Sequence, residues 1–136
     1  MAVTPNSIVT PQGVDTASVA VNALANTNLI TPVNFTQLIA AGPNGGRCIK
    51  VEFLANATQA ASQAQLYRSG DAGATKQLVK AKAFAAYALT TTSDIPSLDF
   101  GYSDAAPLQL EPNEILYVAS AVAVTGMIAR AEVLNL

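Results

Sequence analysis

The clearest hydrophobic pattern in the chain runs from Pro107 to Leu134, PLQLEPNEILYVASAVAVTGMIARAEVL. Met127, Ala129, Ala131 and Val133 alternate there with Ile128, Arg130 and Glu132. A period of two puts the first set on one face of a strand and the second on the other. Between Ile115 and about Val124 every position except Ser120 and a few small residues is strongly apolar, which predicts a strand covered on both faces. Thr125-Gly126 breaks the two strands apart, and Glu111-Pro112-Asn113-Glu114 predicts a tight turn after a short strand.

The same period recurs upstream. Val19 and Val21 alternate within ASVAVNA (17–23), and a polar break at Asn26-Thr27-Asn28 precedes an extended segment from Val33 to Ala40. After the turn signal Ala41-Gly42-Pro43-Asn44-Gly45-Gly46 comes RCIKVEFLANA. Strict alternation there predicts Arg47, Ile49, Val51 and Phe53 on one face, with Cys48, Lys50, Glu52 and Leu54 on the other. Asn56–Ser62 is a polar connection in which a helical turn is possible. Gln63–Ser69 and Lys76–Phe84 predict a hairpin around the turn-forming residues 70–75. Tyr87–Ser93 could be strand or loop, and 94–106 predicts a long loop around a short strand at Leu98–Phe100.

About eight strands and no sustained 3.6 period predict an all-β, antiparallel β-sandwich, since a parallel sheet would need crossover helices. A jelly roll closes eight strands as two facing sheets. It is preferred here because the Cys, Trp, Cys spacing of an immunoglobulin sandwich is absent. Residues 1–16 carry Pro5, Pro11 and Gly13 and predict an extended N-terminal arm, leaving 17–136 as a single domain. Val3, Ile8, Val9 and Val14 make that arm too apolar for an idle tail, so they are the candidate assembly contacts. The expected interior comprises Ile49, Val51, Phe53, Leu66, Leu116 and Val118.

Composition changes this picture in one respect. Val, Ile, Leu, Phe and Met supply about 28% of the chain, enough for a folded core, yet charged residues make up only 12%. A surface so poor in charge is inexpensive to dry, which points toward assembly with other proteins. A net charge of −2 offers no footprint for nucleic acid. The one basic cluster, Lys76, Lys80 and Lys82, reads as a solvated strand edge. No apolar run approaches the roughly 20 residues that cross a bilayer, so no membrane partner is expected. The first ten residues lack the charged and apolar regions of a secretory signal. A single cysteine, Cys48, excludes an internal disulfide and reads as a small buried hydrophobe in a chain made in a reducing cytoplasm.

Catalysis finds little to work with. The chain has no histidine and one cysteine, which removes Ser-His-Asp and Cys-His nucleophiles and any zinc or iron–sulfur ligand set. No cofactor is expected and no enzyme activity. GPNGGR (42–47) lacks the GK[ST] ending and following helix of a phosphate loop. Asp94, Asp99 and Asp104 recur at equal intervals but read as turn formers. Tyr67, Tyr87, Tyr102 and Tyr117 could stack a sugar, yet with no tryptophan they read as core-edge and interface residues.

Several phrases together resemble small structural proteins of tailed bacteriophages. They are Thr10-Pro11-Gln12, Ala41-Gly42-Pro43-Asn44-Gly45-Gly46-Arg47, Gln65-Leu66-Tyr67-Arg68-Ser69, Asp99-Phe100-Gly101-Tyr102-Ser103 with Pro107-Leu108, and Glu114-Ile115-Leu116-Tyr117-Val118. The group is similar to head-decoration, or cement, proteins. That resemblance implies a virion protein on the outer capsid surface, made in the host cytoplasm, with the major capsid protein as partner. It implies a homo-oligomer, with a trimer favoured. A head–tail connector, tail or fibre component would share composition and fold, and a carbohydrate-binding module is the reading from a different class.

Overall fold

The computed structural model describes residues 12–136. Among them are nine strands and no helix: β1 (Gly13–Ala20), β2 (Thr36–Ala40), β3 (Gly46–Ala55), β4 (Ser62–Ser69), β5 (Gln77–Phe84), β6 (Ser97–Asp99), β7 (Leu108–Leu110), β8 (Ile115–Ser120) and β9 (Met127–Asn135). One sheet runs β1-β9-β3-β6, with β7 also on β3, and the other runs β2-β8-β4-β5. Every pairing is antiparallel. The pairs β1·β9, β2·β8, β3 with β6 and β7, and β4·β5 nest like rungs of one long hairpin wound over itself. That winding is the jelly roll, and it confirms the all-β antiparallel sandwich expected from the period-two pattern.

Alternation fills the space between the sheets. β9 contributes Met127, Ala129, Ala131 and Val133, while β8 contributes Leu116 and Val118, and Leu66 and Phe84 come from β4 and β5. Phe53 on β3 stacks on Phe100 at 5.2 Å, both rings fully buried. Five of the six expected core residues lie here, and Ile49 does not. Cys48 pairs with Val133 and Lys50 with Glu132, so Ile49 is the extra residue of a β-bulge. Beyond the bulge the parity of β3 is reset, which puts Cys48 inside on the same face as Val51 and Phe53.

Of the expected arm, residues 1–11 lie outside the described residues. Gly13–Thr16 belong to β1, which pairs without interruption from Gly13↔Asn135 to Ala20↔Ile128. β9 extends to Asn135, and β1 satisfies backbone groups that would otherwise line an open edge. Val14 therefore sits in a strand, with its side chain exposed. Val3, Ile8 and Val9 lie outside the described residues.

Other differences are local. β8 stops at Ser120, whose hydroxyl donates to Val122 O at 2.8 Å, so the apolar run to Val124 divides into strand and loop. Val33 to Phe35 precede β2 rather than opening it. Residues 56–61 form no helical turn, and Gln59 makes an isolated bridge to Tyr87. The hairpin β4–β5 forms as expected, with Ala72 (φ 60°) and Gly73 (φ 91°) carrying the left-handed positions of its turn.

Candidate functional site

Both faces of β8 are covered, as its apolar run demands, and the second cover is a loop. On the outer face of the β2-β8-β4-β5 sheet, Tyr67, Tyr117 and Ala119 form a small second core with Phe35 and Ile115 against it. Phe35 meets Tyr117 edge-on, with centroids 5.3 Å apart. The Lys76 ammonium lies 4.1 Å from the Phe35 centroid and 4.8 Å from that of Tyr117, and donates to Gly73 O at 2.7 Å. A cation against two ring faces draws on their quadrupoles and fastens the β4–β5 turn to this core.

Residues 22–35 lie over this face, held by asparagines. Asn26 is fully buried. Its Nδ2 donates to Gln65 Oε1 and to Tyr67 OH, both at 2.9 Å, and to Asn28 O at 3.2 Å. Its Oδ1 accepts from Val33 N at 3.1 Å, and its backbone N donates to Ser120 O at 2.8 Å. Tyr67 OH donates in turn to Gln65 Oε1 at 2.8 Å. Burial raises the pKa of the Tyr67 phenol, and the hydrogen bond with Asn26 opposes that rise. Asn28 Oδ1 accepts from Ile30 N and Thr31 N, a side-chain-closed turn, and Asn34 Nδ2 donates to Ala25 O at 2.8 Å.

Beside the buried Asn26, the loop exposes several apolar side chains. Ile30 is 85% exposed, Val33 67% and Leu24 62%, with Leu29 beside them in the sequence. Exposed apolar side chains are common singly. Here several come from one loop anchored by a buried polar network. Sequence reasoning took Asn26-Thr27-Asn28 for a break and missed this loop. Four asparagines within thirteen residues, alternating with Leu, Ile and Val, were the available signal.

Elsewhere several polar groups are committed to structure. Arg68 forms a two-pronged pair with the buried carboxylate of Glu114: Nε donates to Oε2 at 2.7 Å and Nη2 to Oε1. The Glu114 hydrogen bond raises the Arg68 pKa further above its ordinary value. Glu114 Oε1 also accepts from Glu111 N, closing the turn before β8. A cleft of about 430 Å³ lies beside this pair, lined by Gly70, Asp71, Thr75, Gln77 and Glu111. Asp71 is held down to about 2 by the Thr75 backbone N–H and the Ser69 hydroxyl, so its carboxylate serves the turn.

The other candidates resolve similarly. Lys80 and Lys82 are more than a solvated edge: their ammoniums donate to Phe100 O at 2.8 Å and Asp99 O at 2.9 Å, tying β5 to the facing sheet. Tyr67 and Tyr117 are buried, while Tyr87 and Tyr102 pack against the main core, so the four make no stacking platform. Among the described residues no three carboxylate or cysteine groups converge as metal ligands. Gly42–Gly46 turns directly into β3, with Gly45 at φ 80° and no room for a Cβ against Leu110 O. Burial pushes the Cys48 thiol up to about 11.

A scan of family models finds none that matches this chain, and a search of curated proteins by sequence finds no match. Among solved structures, a structure of infectious bursal disease virus, Gt strain, is similar at 11% sequence identity with a TM-score of 0.32. The alignment covers 98% of this chain and 35% of that one.

Proposed function

We propose that this chain is a non-catalytic virion protein that binds the outside of an assembled phage capsid as a homo-oligomer and stabilises it, with the major capsid protein as its partner. The observation that carries the reading is the loop over β8, which offers Leu24, Leu29, Ile30 and Val33 to a partner while the buried Asn26 holds it to the sheet. Such a loop loses little conformational freedom on docking, so its apolar area converts to affinity with a small ordering cost. The resemblance in sequence phrases supplies the capsid as the partner, and the 12% charge content suits a contact that must be dried. Repetition on a lattice raises the avidity of each weak site without new contacts.

The test mixes purified protein with capsids stripped of it, at low and high salt, and images them. Density repeated over the head, nearly independent of salt, is the expected result, because few charges lie in the contact. Ile30→Asp with Val33→Asp should weaken binding at least about tenfold, a loss of about 1.4 kcal/mol. No density, or density only at a neck or tail vertex, rejects decoration; the latter favours a connector or tail component.

A further inference from the structure

Sheet edges present unpaired backbone groups, and proteins that stay monomeric blunt them. Three edge regions here are blunted. β6 and β7 have three residues each, β2 has five with a register shift between Gln37 and Ile39, and β5 carries Lys80 and Lys82. β1 has none of these devices. It runs eight residues, GVDTASVA, without proline, lysine or bulge, and among the described strands it pairs with β9 alone. Val21 N donates to Met127 O at 2.9 Å, extending the β1·β9 ladder by one residue. In an antiparallel ladder, residues alternate between facing the partner strand and facing away. Odd-numbered residues therefore bond to β9, and Val14, Thr16 and Ser18 turn their backbone groups to the open side.

We propose that this open edge is the contact between two copies of the chain, β1 adding to β1 to join their outer sheets into one. The outward groups of both copies are even-numbered, so even residues must meet even ones. The register centred on Ala17 meets this condition: Thr16 lies opposite Ser18 and Val14 opposite Ala20, while Asp15, the one charge in the strand, lies opposite Val19. No like charges meet, and the small side chains Thr16, Ser18 and Ala20 allow close approach. β1 against β1 requires a two-fold axis, so the resulting oligomer is a dimer rather than the trimer that the resemblance implies. The inference is independent of capsid binding and is tested without capsids.

Two measurements on the purified chain test it: native mass over a concentration series, and amide hydrogen exchange residue by residue. The expected result is a dimer in which the Val14, Thr16 and Ser18 amides exchange slowly and speed up at least tenfold on dilution to monomer. The odd-numbered β1 amides, bonded to β9, should not respond. Thr16→Pro removes an outward donor without touching the β9 ladder and should weaken dimerisation at least tenfold, whereas Thr16→Ala should not. If Thr16→Pro fails to fold, Ser18→Pro and the wild-type exchange pattern decide. A monomer at all concentrations, a trimer, or a dimer whose even-numbered β1 amides exchange freely would overturn the proposal.

Discussion

Replacing Asn26 by alanine isolates the polar network under the outer loop. The substitution removes the amide bonds to Gln65 Oε1, Tyr67 OH and Asn28 O, and the acceptor for Val33 N. Not every partner is stranded. Gln65 Oε1 keeps the Tyr67 hydroxyl, and Tyr67 keeps its own donor bond. Val33 is 67% exposed, so its N–H can turn to water. The loss is then close to the net value of three or four ordinary hydrogen bonds at about 0.5–1.5 kcal/mol each, without the full penalty for orphaned groups. About 2–3 kcal/mol is the expected destabilisation, which at a urea slope of roughly 1–3 kcal/mol/M lowers the midpoint by roughly 0.7–3 M. The loop has a way to limit the damage: it can lift off while the sheets hold, leaving Tyr67, Tyr117 and Ala119 exposed. Hydrogen exchange at 24–34 separates the two cases, since local release accelerates those amides well before global unfolding. Asn26→Asp keeps the Val33 acceptor but sets a carboxylate oxygen against Gln65 Oε1, and should be no milder than alanine. A midpoint within about 0.2 M of wild type, with unchanged exchange over the loop, would refute the claim that this network holds it.

Two further results are expected. Phe53→Ala should cost about 3–5 kcal/mol in denaturant unfolding because a fully buried ring leaves a cavity; Ile49→Ala, at the bulge and outside the core, should cost a small fraction of that, and equal losses would contradict the bulge. The Cys48 thiol should resist iodoacetamide in the native protein and react on unfolding. Its pKa is raised by burial from 9.0 to about 11, so its contribution to stability is intact below pH 9 and is lost as pH rises through about 11. An unfolding midpoint that did not fall over that range relative to a Cys48→Ala control would contradict the burial.

Local pattern determined much of this molecule. Met127 to Val133 alternate because one face of β9 meets the interior and the other meets water, and a strand records that in a period of two. ILYVAS is apolar on both sides because β8 is covered on both sides, so a double-sided environment was legible in six residues. The missing histidine and single cysteine narrowed the chemistry from composition alone. What covers the outer face of β8 was not legible. Asn26 reads as a turn former in isolation, and it becomes a buried anchor only when β4 brings Gln65 and Tyr67, distant in sequence, within 2.9 Å. The Ile49 bulge was equally invisible, since an extra residue shifts parity only relative to a partner strand, here β9, which arrives from the far end of the chain. Edge strands, too, are defined by neighbours. Nothing within GVDTASVA says that one side pairs with β9 and the other with no described strand, because backbone pairing is a long-range fact that side-chain periodicity does not encode.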